Sequence, residues 1–274
     1  MSGLSREDAF AALLWLVESG ADETVGEQSI NRVGMPMQRS PEPHAPPSAA
    51  RSGAAPAPSP TSPKTAAIPE TSRSVEAAER LAACCRTLAE LKAALANFEG
   101  CELKRHATNL VFADGNPAGG IMFIGEAPGG DEDRQGLPFV GRAGQLLDRM
   151  LVSIGLDRQN VYITNIVNWR PPGNREPTPE EAAVCLPFLH RHIELANPKL
   201  LVLLGAVPVR HLTGLQGILK FRGRWENYGL RSGNKVPVML TLHPAYLLRQ
   251  PAAKRLAWKD FLTIADKLQR LGLA

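Results

Sequence analysis

The side chains that could do chemistry in this sequence gather in three short segments. "GEAPGGDEDRQGLPFVGRAG", Gly125 to Gly144, contains six glycines and four acids: Glu126, Asp131, Glu132 and Asp133. Asn165 lies within "VYITNIVNWRPPGNREP", and His243 opens "HPAYLLRQ". A glycine-rich turn of this kind usually cradles phosphate, yet its side chains here are negative. It also lacks the Gly-Lys-Ser/Thr of a P-loop and the G-x-G-x-x-G spacing of a dinucleotide turn. No His/Cys/Asp spacing makes a zinc or calcium site, and no G-x-S-x-G elbow offers a serine nucleophile.

The remaining inventory suits hydrolysis of a bond whose carbon becomes cationic. A carboxylate can stabilise a developing oxocarbenium ion or orient water, and a neutral histidine can stabilise the departing anion. The Asn165 amide can pair with both a donor and an acceptor on a planar base edge, and Phe139 can stack on its face. Such a set would hold a flipped nucleobase.

These residues need a scaffold that brings them together. Four short apolar, β-branched runs, "GIMFIG", "VYITNIV", "KLLVLLG" and "VPVMLTL", alternate with helical patterns at Ala143–Ile154, Pro179–Leu195, a short one from Ala206, and Lys254–Leu271. The last pattern predicts a buried stripe of Trp258, Phe261, Leu262, Ala265 and Leu268. Alternating strands and helices predict a three-layer α/β/α fold around a four-stranded parallel sheet. Ligands in such sheets bind beyond the carboxyl ends of the strands, where all three segments emerge.

Ahead of this domain, residues 38–70 form a Pro/Ala/Ser-rich stretch with nine prolines between Gln38 and Pro69. It reads as a disordered linker. Residues 1–37 include "SREDAFAALLWLVESG", an amphipathic helical segment whose Phe10, Leu13, Leu14 and Val17 could dock on a partner protein or on the folded domain at 71–274. Arg6, Glu7 and Asp8 argue against a signal peptide there. No stretch approaches the roughly 20 apolar residues of a membrane span. From Leu186 onward 14 Lys and Arg face 4 Asp and Glu, a net +10, against −6 (17 and 23) in the preceding residues. A basic half of this kind suits a polyanion or a solvated surface.

"GEAPGGDEDRQGLPFVGRAGQLLDRML", "VYITNIVNWRPPGNREPTPEE" and "HPAYLLRQ" resemble the motifs of the iron–sulfur uracil-DNA glycosylases of bacteria and archaea, the family numbered four, from about Cys101 to the C-terminus. The resemblance implies hydrolysis of the N-glycosidic bond of uracil in DNA, single- or double-stranded, leaving an abasic site. It makes Phe139 the stacking face and Asn165 the reader of the Watson–Crick edge. Main-chain groups of the Glu126–Gly129 turn, Ala127 among them, approach the base and its water. Glu132 crowds C5 against thymine's methyl group, and His243 donates toward O2. Leu248 or Arg249 fills the vacated stack, and Arg170, Arg175 and Arg249 contact phosphates.

Two departures from the family pattern stand out. Ala127 replaces the Asp or Asn with which other branches orient water, so Glu126 takes that role here. The family's cluster has four cysteine ligands, whereas here Cys101 and Cys185 keep two places and Phe98 and Trp169 occupy the others. Two thiolates cannot hold a four-iron cluster, and the adjacent Cys84 and Cys85 would point about 100° apart on a helix. The expectation is therefore no cluster, no other metal and no cofactor, with aromatic packing in its place and free thiols. A monofunctional, cytoplasmic, nucleoid-associated monomer is expected; Lys254 is the one lysine considered for a lyase. The rival readings are a non-catalytic or covalent uracil-DNA-binding relative, although "NREPTPEEAAV" lacks the basic insert and histidine of covalent relatives, and a small-molecule hydrolase on the same fold, for which the basic half and "HPAYLLR" would have no evident purpose.

Overall fold

The computed structural model describes residues 70–231 and 233–273. The expected N-terminal helix, and the expected linker up to residue 69, lie outside them. Two helices come first, α1 (Glu70–Cys84) and α2 (Leu88–Asn97), the second capped by Thr87, whose hydroxyl accepts the Glu90 N–H at 3.1 Å. Both pack on α5 (Pro179–Ala196). Arg191 of α5 donates to the Cys85 carbonyl at 2.9 and 2.7 Å and ties down the junction.

The sheet is broader than the expected four parallel strands. It has six, in the order β1 (Asp114–Gly115), β3 (Tyr162–Asn165), β2 (Ile121–Gly125), β4 (Leu200–Leu204), β6 (Lys235–Thr241), β5 (Trp225–Gly229). The four inner strands are parallel, and β1 and β5 flank them antiparallel. The inner strands were legible because strands covered on both faces read as continuous apolar runs. The edges were not: β1 spans two residues, and "WENYG" is a half-exposed edge with no apolar alternation.

Alternate residues of each inner strand feed opposite layers, as a period of two requires. Met122, Ile124, Leu201 and Leu203 pack with Leu91, Leu95 and Phe188 on one face. Ile121, Phe123, Val202 and Leu204 pack on the other with Leu147 and Leu151 of α4 (Arg142–Val152) and Phe261, Ile264 and Leu268 of α9 (Lys254–Leu271). The buried stripe of α9 differs from the expected one: it runs Ala257, Phe261, Ile264, Leu268, while Trp258 and Leu262 are 44% and 47% exposed. The helix is turned about 100°, one residue, because the core-facing Asp260 pairs with Arg222 and accepts from Thr241 at 2.7 Å. Among the described residues no helix is long and apolar enough to cross a membrane.

Candidate functional site

Gly125 at the end of β2 is in register with Asn165 at the end of β3. The chain goes from β2 to β3 on one side and later to β4 on the other, a switch point that opens a crevice at the strand ends. A cavity of about 160 Å³ lies there, lined by five of the expected residues, Ala127, Glu132, Phe139, Asn165 and His243, together with Gly129, Ala143 and Ala245. That volume is below the roughly 300–1,000 Å³ of drug-sized sites and suits one small planar ring.

Asn165 is 2% exposed, and its Oδ1 has no hydrogen-bond partner. A buried acceptor left unpaired costs about 1–3 kcal/mol, so this atom favours an incoming donor. Its approach to the Phe139 ring depends on Gly125. A Cβ there would overlap Asn165 Oδ1 and lie 2.5 and 2.6 Å from Phe139 Cζ and Cε2. Phe139 itself sits at φ 56°, the left-handed region that non-glycine residues seldom occupy. Its ring stacks beside His243, centroids 5.5 Å apart at 29°.

His243 caps α8 (Pro244–Arg249), its Nδ1 accepting the Ala245 N–H at 3.1 Å. An Nδ1 that accepts leaves the hydrogen of a neutral ring on Nε2. Burial, with a contribution from Arg249, pushes the His243 pKa down to about 4. The ring is therefore a neutral donor at pH 7. Gly205, at φ 99°, allows the end of β4 to approach it, since a Cβ there would lie 2.9 Å from His243 Cβ.

The four acids of the loop separate by task. Asp131 pairs with Arg134 at the surface. Asp133 is buried and accepts the Thr108 and Asn109 N–H groups at 2.8 and 3.1 Å. Glu132 accepts Gly129 N–H at 3.0 Å with Oε2 and Gly141 N–H at 2.9 Å with Oε1, so it clamps both ends of the loop while lining the cavity. Glu126 does not line the cavity. Burial and Glu176 raise its pKa against the pull of Arg210 and Arg249. Its carbonyl and that of Gly125 accept Val167 and Ile166 N–H groups at 3.2 and 2.9 Å, so the turn's carbonyl groups up to Glu126 are already engaged.

The basic residues expected on phosphates are more scattered. Arg170 donates to Asn174 Oδ1 at 2.8 Å and lies over Gly130. Arg175 makes a two-pronged pair with Glu181 at 2.8 and 2.6 Å. Leu248 is half-buried and Arg249 exposed, both in the last turn of α8. Lys254 is exposed at the start of α9.

The uracil-DNA glycosylase superfamily model matches residues 112–262, which contain every strand end described above. The chain belongs to that superfamily. Similar proteins include the type-4 uracil-DNA glycosylase of Archaeoglobus fulgidus, 43% identical over 170 residues (61% of this chain, 85% of that protein). Those of Saccharolobus solfataricus and Thermotoga maritima are 40% identical (61% and 80% covered) and 44% identical (54% and 77%).

The cluster of the iron–sulfur glycosylases finds a poor fit in this member. Cys101 and Cys185 are buried free thiols whose mutual interaction lowers the pKa of Cys101 and, with burial, raises that of Cys185 well above the ordinary range. Phe98 and Trp169 are buried, and the Phe98 ring lies over Gly100 and packs edge-on against Phe188, centroids 5.1 Å apart. Cys84 is exposed while Cys85 is buried and donates to the Leu81 carbonyl at 3.2 Å, so the neighbours do point apart. Among the described residues no three His, Cys, Asp or Glu side chains meet in a group that could hold a metal ion. A ligand set of two thiols does not match a cluster that takes four.

Proposed function

We infer that this chain is a uracil-DNA glycosylase that hydrolyses the bond between C1′ of the sugar and N1 of a flipped uracil. One observation carries the assignment of roles: a buried, unpartnered Asn165 Oδ1 lines the same small cavity as a histidine whose hydrogen resides on Nε2. Uracil offers a donor at N3 and an acceptor at O4, which a single amide pairs with simultaneously. With the Phe139 ring against its face, the base is held by stacking and by its edge.

As the C1′–N1 bond breaks, its electron pair leaves with the base and negative charge spreads to O2. The Nε2–H of His243 stabilises that charge without transferring a proton, because the ring is neutral before and after. Water adds its oxygen to C1′, and the proton it releases to solvent is balanced by one taken up by the departed uracil anion at N1, leaving free uracil and an abasic site. Glu126, one residue before Ala127 on the same turn, supplies negative charge on the sugar side. The Glu132 side chain restricts room near C5, which disfavours a methylated pyrimidine. Arg170 and Arg249 hold phosphates, Arg175 being engaged with Glu181, and Leu248 or Arg249 occupies the gap left in the stack.

We further propose that the reaction proceeds without an iron–sulfur cluster, the Phe98 and Trp169 rings packing where two ligands would stand. Purified protein with no bound iron and no visible absorbance band supports this, and a brown protein containing iron overturns it. The function is tested with a uracil-containing oligonucleotide treated with alkali after incubation. Cleavage by the native chain and its loss in His243→Ala are expected, and an intact oligonucleotide with the native chain refutes the assignment.

A further inference from the structure

Arg158 lies in the turn ahead of β3, outside every chemical motif of the sequence, yet it reaches the recognition loop. Its Nε donates to Asp148 Oδ1 of α4 at 2.8 Å and its Nη1 to Asp114 Oδ2 of β1 at 2.6 Å. The same guanidinium donates to the Pro138 carbonyl at 3.1 Å through Nη1 and to the Phe139 carbonyl through Nη2. Its side chain is 25% exposed. Two carboxylates on two elements therefore aim a planar, five-donor fork at consecutive backbone carbonyls.

Those carbonyls belong to the strained part of the loop. Phe139 holds φ 56° although it is not glycine, a conformation that persists only where its surroundings over-determine it. The first turn of α4 also closes on the same carbonyl, and a Cβ at Gly144 would overlap it. The Phe139 carbonyl is held by the guanidinium and crowded by Gly144, and the direction of its ring follows from the backbone so fixed.

We propose that Arg158 is a positioning residue for base recognition, holding the Pro138–Phe139 backbone so that the ring meets the base. The proposal rests on the reading that Phe139 stacks on uracil. Without the guanidinium, the Phe139 backbone relaxes toward ordinary φ values and the ring leaves the cavity wall.

The test is a cycle of Arg158→Met, Phe139→Ala and the double variant, assayed on a uracil-containing oligonucleotide well below each variant's melting temperature. Lost stacking removes binding common to ground and transition states, so KM rises while kcat changes little. A stacking contribution of about 1–3 kcal/mol corresponds to a rise of roughly 5-fold to 150-fold. Arg158→Met is expected to reproduce most of the Phe139→Ala rise, and to add less than about twofold once the ring is gone. Arg158→Lys, with its charge retained, is expected to recover part of the effect. If Phe139→Ala leaves KM unchanged, the stacking reading falls and the proposal with it. If Phe139→Ala raises KM but Arg158→Met does not, or raises it equally in the absence of the ring, the positioning role alone is overturned. Should Arg158→Met fail to fold, Asp114→Asn and Asp148→Asn, which loosen the same fork, carry the comparison, and an unchanged KM in both overturns the proposal.

Discussion

Gly125→Ala adds one methyl group where the Asn165 and Phe139 side chains converge. Gly125 is not in the left-handed region, so alanine can adopt its backbone and the effect comes from crowding alone. The new Cβ would overlap Asn165 Oδ1 and lie 2.5 Å from Phe139 Cζ, whereas ordinary contact begins near 3.4 Å. The ring must therefore retreat by about 1 Å, and a displacement of that size in a positioned group can lower a rate about 10²-fold. Overpacking of this kind also destabilises by about 1–3 kcal/mol, and each 1 kcal/mol lowers Tm by roughly 2–4 °C in a domain of 150–250 residues. The assay is single-turnover excision of uracil at a temperature well below the lowered Tm. Gly229→Ala serves as control, since a Cβ there meets nothing within 4 Å. Kinetics within twofold of native for Gly125→Ala would refute the claim that Asn165 and Phe139 act from these positions.

Other outcomes follow from the same geometry. The pKa of about 4 at His243 lies below that of an ordinary histidine, so the neutral donor persists as pH falls through 6.5. Excision is expected to hold down to about pH 5 and to fail toward pH 4, and an acid limb centred near 6.5 would contradict a desolvated neutral ring. His192, bonded to the Tyr162 hydroxyl at 2.9 Å and stacked on Phe112, has its pKa pushed by burial to about 3. The unfolded chain takes up a proton below about pH 6.5 that the folded chain refuses, so stability falls as pH drops from 6.5 toward 3. The His192 share is roughly 3 kcal/mol by pH 4, and urea titrations of His192→Gln should show a correspondingly flatter slope. Glu132→Gln turns an amide donor toward either the Gly129 or the Gly141 N–H. A stability loss of about 1–3 kcal/mol with a fall in kcat/KM of about tenfold is expected, and native melting and kinetics would show that the clamp is dispensable.

Much of the candidate site was legible because a parallel sheet imposes a simple rule. Doubly covered strands announce themselves as apolar runs, and loops at their carboxyl ends face a common crevice. Ala127, Glu132, Phe139, Asn165 and His243 lie some 116 residues apart from first to last, yet all line one cavity as that rule requires. Glu126 was singled out by the same reasoning, but adjacent residues on a turn need not face the same way, and it lies off the cavity wall. Ala143 and Ala245 were missed because small residues carry no chemical signal.

Residue types and their spacing determined by themselves the layered α/β class, the inner strands, the strand ends that bear the site and the shortage of cluster ligands. These depend on local burial period and turn chemistry, which a linear pattern records. The tertiary structure alone decided the edge strands, the rotation of α9, the double engagement of Glu132, the tautomer of His243 and the commitment of Arg175 to Glu181. It alone placed Arg158 against Phe139, 19 residues away, and against Asp114, 44 residues away. Hydrogen bonds that close over such distances depend on where packing brings side chains and carbonyls together, and no periodicity in the chain encodes that meeting.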